Sequence, residues 1–179
     1  MKVLVAYASK YGATKGIAER ISAKLKEEGL EADVVEVDRV GDVKEYDAFV
    51  IGSALYMFHW MKEARRFVDR NRASLVSRPV WLFSSGPLGT EAKDKEGRDL
   101  KEVSGPKELD ELKAKVNFKD HQVFFGAVDS SKLTGTMGFF WKMAARSEEA
   151  RKSMPEGDYR DWKEIESWAA GIAGSLSGS

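Results

Sequence analysis

Three short stretches hold residues whose types and spacing could do chemistry. The first is Ser9-Lys10-Tyr11-Gly12-Ala13-Thr14, between an apolar run and an amphipathic segment. Backbone N–H groups of such a loop and of the helix start that follows point the same way. The helix dipole adds positive potential, and the combination suits a phosphate-like anion. Ser9 and Thr14 bring hydroxyl donors, and Gly12 permits a close turn. The same six residues also fit a plain helix start capped by Thr14, and the hexapeptide alone does not separate the two readings. The second stretch, residues 52–60, brings Ser53, Ala54, Leu55 and Tyr56 and then Met57, Phe58, His59 and Trp60. A run this apolar and aromatic fits a wall for a flat ligand, where stacking contributes on the order of 1 kcal/mol beyond area burial. Trp60 also fits a core position at the start of the next helix. The third is Ser84-Ser85-Gly86-Pro87. Small residues there let the backbone approach a ligand's polar edge, although Gly-Pro also reads as an ordinary turn.

Several other chemistries lack their residues. The first loop has no Gly-Lys-Ser/Thr ending, and no G-x-G-x-x-G follows a strand. A phosphoacceptor site would need acidic residues at the ends of the first and third strands, which instead end in Ala8-Ser9 and Gly52-Ser53. No G-x-S-x-G elbow occurs. The two histidines, His59 and His121, supply no recognised metal-ligand spacing, so no metal is expected. Cysteine is absent, which removes thiol redox chemistry, iron–sulfur ligation and disulfides. Electrons, if this chain moves them, must therefore be carried by a bound organic cofactor. Lys plus Arg and Asp plus Glu each number 29, so the formal net charge is zero and a basic nucleic-acid binder is disfavoured.

The elements that must position these loops follow from periodicity. Residues 2–7, 32–37, 48–51, 80–83 and 122–128 read as buried strands, the third extended by Gly52. Residues 14–28, 60–72, 107–115, 136–151 and 159–173 read as helices, the first stopped by Gly29. Alternation of this kind predicts an α/β fold, a doubly wound five-stranded parallel sheet with right-handed crossovers. A length of 179 residues suits a single domain over residues 1–179. Additions near 88–105 and 133–151 are expected, the former a long polar loop at a strand's C-terminal end, where open sheets bind ligands. The first apolar run is too short for a signal peptide. No apolar stretch approaches the roughly 20 residues of a spanning helix, so a soluble, cytoplasmic chain is expected.

Ser9-x-x-Gly12-x-Thr14 after an apolar strand resembles the phosphate loop of flavodoxins, which holds the phosphate of FMN without lysine or metal. The likeness covers nearly the whole chain. Within that superfamily, Val50-Ile51-Gly52-Ser53-Ala54-Leu55-Tyr56 followed by His59-Trp60, and the added segment running into Asp161-Trp162, resemble the menaquinone-dependent protoporphyrinogen oxidases. The resemblance implies strand order 2-1-3-4-5 and a non-covalent FMN. The cofactor would be bound by Ser9, Lys10, Tyr11, Gly12, Ala13 and Thr14, by Ser53, Ala54, Leu55 and Tyr56, and by Ser84, Ser85, Gly86 and Pro87. It also implies an FMN-dependent oxidoreductase whose flavin relays electrons from a porphyrinogen to a quinone.

A flavodoxin-type electron carrier with a redox protein partner, and another small FMN-dependent quinone reductase, remain alternatives. Carriers of the first kind are usually strongly acidic, and their third loop carries an aromatic cover that this one lacks. The departure implies an open flavin face where a substrate could stack. No catalytic side chain is assigned, and His59 is read as a surface residue rather than a proton donor.

The segment 60–78 carries Lys62, Arg65, Arg66, Arg70, Arg72 and Arg78 against Glu63 and Asp69. Such an excess could attract porphyrin carboxylates or the inner face of an anionic membrane; a solvated helix face is the stronger reading. Phe139, Phe140 and Trp141 are consecutive and cannot share one helix face. Packing over the sheet edge is their expected role, and the alternative is that at least one is exposed or forms a cleft wall on the substrate side, as in the resembling oxidases.

Overall fold

The computed structural model describes residues 1–86, 93, 96–144, 146–147 and 156–178. The chain runs β1 (Lys2–Ala8), α1 (Ala13–Glu27), β2 (Glu31–Glu36), β3 (Ala48–Tyr56), β4 (His59–Trp60), α2 (Lys62–Arg70), α3 (Arg72–Val76) and β5 (Val80–Ser85). It continues through α4 (Leu100–Val103), α5 (Leu109–Val116), β6 (Asp120–Phe124), β7 (Ala127–Val128), α6 (Gly135–Ala144), β8 (Gly157–Asp158) and α7 (Trp162–Ser177). The main sheet has the order β2-β1-β3-β5-β6, all parallel, which is the expected 2-1-3-4-5 path. Among the described residues no helix is long and apolar enough to cross a membrane.

The central strands β1, β3 and β5 are largely apolar on both faces because each face is covered, while the edge strands β2 and β6 are only partly buried. Val3 and Val5 of β1 point to the layer of α1 and α7, where Ile17, Ile21, Leu25, Ile165 and Ile172 are buried. Leu4 and Ala6 point the other way, to Phe67 and Val68 of α2 and Leu112 and Val116 of α5. Alternate residues thus serve opposite layers, as strand geometry requires. Full burial of one such side chain contributes about 1.5–3 kcal/mol. Glycine sets the end of α1, since Gly29 takes φ 85° just after it. Asp161 starts α7, its carboxylate accepting from the N–H groups of Lys163 and Glu164.

Four sequence expectations are corrected. The third strand does not stop at Gly52 but runs to Tyr56 and folds back on β4, Leu55 opposite Trp60 and Tyr56 opposite His59. The expected aromatic loop is therefore a hairpin, turned by Met57 and Phe58 at φ 52° and 65°. The helix expected over 60–72 begins only at Lys62, after β4, and is interrupted at Asn71, whose side chain bonds the Phe67 carbonyl. The fifth strand ends at Phe124, not Val128, because Ala127–Val128 leaves the main sheet to pair with Gly157–Asp158. The expected helix start at Thr14 falls inside the first turn, with left-handed Gly12 (φ 91°) in the capping position. Of the 88–105 addition, Lys93 bridges Asp99 and α4 forms, while residues 88–92, 94 and 95 lie outside the described residues. Residues 145 and 148–151 of the expected 136–151 helix also lie outside them.

Gly52 in mid-β3 has a packing reason, since a Cβ there would enter the ring of Phe83 on the neighbouring strand. Gly52→Ala should lower the unfolding free energy by about 1–3 kcal/mol through overpacking. Adding Phe83→Leu should recover part of that loss, with urea unfolding as the measurement.

Candidate functional site

The C-terminal ends of β1, β3 and β5 open side by side, and the first-loop residues rise between them. A hollow of about 180 Å³ is lined by Ser9, Lys10, Tyr11, Ala13 and Thr14 from the first loop. Ala54, Leu55 and Tyr56 line it from the second stretch, and Ser85 and Gly86 from the third. Three expected stretches therefore meet at one place. Gly126, Ala127, Val128 and Leu133 complete the lining. Sequence reasoning missed Gly126, Ala127 and Val128, because they read as the tail of the fifth strand and carry no polar signal; Leu133 opens the expected 133–151 addition, although it was not named as a site residue. A second hollow of about 370 Å³ adjoins the first through Tyr11, Ala13, Ala127 and Val128, and Gly12 lines it. A third, of about 490 Å³, adjoins through Lys10 and Tyr56. A larger hollow, about 910 Å³, lies between β6 and α7 beside Trp81 and Trp168 and touches none of the expected site residues.

Each expected residue has a definite place. Ser9 Oγ accepts the Gly12 N–H at 3.1 Å and so shapes the first turn of the loop. Thr14 is 1% exposed, and its hydroxyl has no partner; the buried Tyr11 hydroxyl also has none. Buried polar atoms left in this way are costly, so both mark where a ligand's polar groups would go. Lys10 Nζ lies over the rings of Tyr11 (5.4 Å) and Tyr56 (5.9 Å). Desolvation, with Tyr11 beside it, pushes the Tyr56 phenol up to about 12, so it is a neutral donor at physiological pH.

Ser53 and Ser84 lie beneath the cleft, not on its wall. Ser53 Oγ accepts the Met61 N–H at 2.9 Å and donates to the Ala54 carbonyl. Ser84 Oγ accepts from Trp60 Nε1 at 2.8 Å and faces His121 Nε2 at 2.9 Å. Pro87 lies outside the described residues.

His59 is an exposed residue, but a tethered one. Its Nδ1 meets Glu108 at 2.7 Å, and Glu108 also accepts from the Trp60 backbone N–H and faces Arg65. Burial pushes the Glu108 carboxyl up, but the bonds from His59 and the Glu108 and Trp60 backbone N–H groups outweigh it and hold it below the usual range. Sequence reasoning did not single out Glu108, which no motif marks. The cations of 60–78 are partly structural: Arg70 bonds the Val37 carbonyl, and Arg78 bonds those of Val43 and Lys44.

A flavodoxin domain model matches residues 4–154, and the chain belongs to that flavodoxin domain family. Its curated relatives include the protoporphyrinogen IX dehydrogenase (quinone) of Escherichia coli strain K12, 33% identical over 86 residues. That match covers 47% of this chain and 48% of the relative, so the chain spans about half the length of the curated relatives it matches. Among solved structures, a flavodoxin from the domain Archaea aligns over 99% of both chains with TM-score 0.62 and 16% identity. Oxidised flavodoxin 2 from Bacillus cereus aligns over 99% of both with TM-score 0.57 and 19% identity. These two likenesses concern the fold.

His121 yields a pH prediction. Burial lowers its pKa from 6.5 to about 4, against a smaller opposing pull from Asp120. Between those values the unfolded chain binds the proton and the folded chain does not. Its stabilising state is therefore fully present above pH 6.5 and lost as pH falls toward 4, roughly 3 kcal/mol in all. Unfolding free energy should fall across that window, and His121→Gln should flatten the slope.

Proposed function

We propose that this chain binds FMN non-covalently and works as an FMN-dependent oxidoreductase, passing electrons from a porphyrinogen to a quinone. The observation that carries the cofactor reading is the unpartnered, buried Thr14 hydroxyl in the first turn of α1, behind a left-handed glycine. Loop N–H groups, helix dipole and hydroxyl converge there on an anion. The hollow next to it takes a flat ring, since Leu55, Tyr56, Ala127, Val128 and Leu133 present apolar or aromatic surface. Among the described residues no carboxylate lines that hollow. The residues present therefore fit FMN: anionic at one end, flat and apolar at the other.

Bound FMN would supply the electron chemistry. The protein's part is positional. Ser9, Lys10, Tyr11, Gly12, Ala13 and Thr14 hold the phosphate. Ala54, Leu55 and Tyr56 form one wall, and Ser85 and Gly86 let the backbone meet the ring's polar edge. Ser53 and Ser84 fix these loops from below. The likeness to the E. coli dehydrogenase supports the porphyrinogen and quinone assignment. Zero net charge favours an enzyme over an acidic shuttle.

Flavin fluorescence titration tests the cofactor. Wild type should quench FMN. Thr14→Val should weaken FMN about ten- to a hundredfold, the worth of one charged hydrogen bond, with riboflavin affinity unchanged. Unchanged FMN affinity would remove the phosphate assignment. Anaerobic oxidation of protoporphyrinogen with a menaquinone analogue tests the reaction: FMN-loaded protein should support it and apo protein should not. FMN-loaded protein that fails to oxidise protoporphyrinogen points to the carrier.

A further inference from the structure

We propose that Arg160 is a positioning residue that latches the chain's return at β8 onto the first loop, so that FMN binding and the order of the β7–β8 pair are coupled. The proposal rests on the FMN reading above and adds a residue far from all three loops in sequence.

Arg160 sits between β8 and α7 and is held on every side. Its Nε and Nη2 bond the Asp158 carboxylate at 2.7 and 2.6 Å, and its backbone N–H bonds the same group at 3.1 Å. Its guanidinium stacks on the Trp162 ring at 4.3 Å. The remaining nitrogen, Nη1, donates to the Ala13 carbonyl at 3.2 Å. A planar fork can make these contacts together where an ammonium cannot.

An independent observation comes from α1. Gly16 stands inside this helix, where glycine is less favourable than alanine. A Cβ on Gly16 would run into the Arg160 guanidinium. The glycine leaves the room in which the guanidinium reaches the Ala13 carbonyl.

The contacts form one mechanical path. Ala127 and Val128 line the ring hollow and pair with Asp158 and Gly157. The Tyr159 N–H bonds the Gly126 carbonyl at 3.1 Å. Arg160 follows and grips Ala13, whose neighbour Thr14 holds the unpartnered hydroxyl. The wall of the ring site and the phosphate end are thus joined through one side chain. A cation at a helix N-terminus opposes the helix dipole. Asp158 offsets that here, and an anion bound at the loop would offset it further. Binding at the loop should therefore tighten the latch, and the latch should aim the peptide that carries Thr14.

The test uses the full chain and five proteins: wild type, R160A, R160K, G16A and the double variant R160A/G16A. FMN and riboflavin affinities are measured by fluorescence, and amide hydrogen exchange at Ala127, Val128 and Asp158 is followed with and without FMN. R160A should lose at least tenfold in FMN affinity and less than threefold in riboflavin affinity. FMN should slow exchange at those amides in wild type and not in R160A. R160K should recover part of the FMN affinity and none of the exchange protection. G16A should weaken FMN in the wild-type background and add nothing to R160A. Should R160A fail to fold by circular dichroism, R160K and G16A decide alone. Wild-type FMN affinity in R160A, persistent protection in R160A, or R160K indistinguishable from wild type would each overturn the latch while leaving the cofactor reading in place. A wild type that binds no FMN overturns that reading, and the latch with it.

Discussion

The buried indole of Trp60 is the pin on which the cleft is built. A fully buried tryptophan needs a partner for its N–H, and Trp60, 1% exposed, finds it in Ser84 Oγ at the end of β5. That hydroxyl then faces the imidazole of His121 on β6, which burial keeps neutral and able to accept. The backbone N–H of Trp60 reaches Glu108 just before α5. One residue therefore joins the tip of β3–β4, the neighbouring strand end, the edge strand and the segment that follows the 88–105 addition. Removing any partner would leave a polar group buried without compensation, which costs more than the bond itself contributes.

That pin explains how the hairpin can carry an unfavourable turn. Met57 and Phe58 both have positive φ, with no glycine or asparagine to ease it. Such backbone persists only where the surroundings over-determine it. Here the Lys107 N–H donates to the Phe58 carbonyl at 2.9 Å, and His59 is tied to Glu108. The wall of the ring hollow is thus held from behind by residues just past the 88–105 addition, and Tyr56 owes its place at the rim to contacts remote from the cleft.

Much of the scaffold was legible in the sequence, for definite reasons. Buried parallel strands are continuous apolar runs, so β1, β3 and β5 could be read within a few residues; β2, an edge strand, was legible from Val34-Val35 and its place after the first helix. The first loop was legible as a cleft element because glycine and hydroxyl residues follow a buried strand there, and Ser9, Tyr11 and Thr14 do line the hollow. The hairpin was not, because Met57-Phe58 lacks every usual turn residue. The end of the fifth strand was not, because Ala127 and Val128 continue its apolar character while pairing elsewhere. Ser53 and Ser84 were legible as small polar residues at strand ends, yet their hydroxyls turn inward to Met61 and Trp60, which only three-dimensional pairing decides. Glu108 and Arg160 carry no local signal, since their roles depend on partners 48 and 147 positions away.

The distribution of charge follows from the same geometry. The ring hollow has one charged lining residue among those described, Lys10, and its ammonium lies over aromatic faces. The adjoining hollow by the helix start holds Asp129, Lys132, Glu156, Asp158 and Arg160; Lys132 pairs with Asp129, Arg160 with Asp158, and Glu156 accepts from Ser130 Oγ, so these side chains bring no net positive charge. Positive potential at the loop then comes chiefly from backbone dipoles, which are fixed in direction and need no side-chain ordering on binding. Such a field distinguishes a compact anion at the α1 terminus from the flat apolar body beside it. A ligand with those two ends would be oriented by dipoles already fixed in direction. With zero net charge, long-range attraction by the whole surface would contribute little to anion binding at the loop.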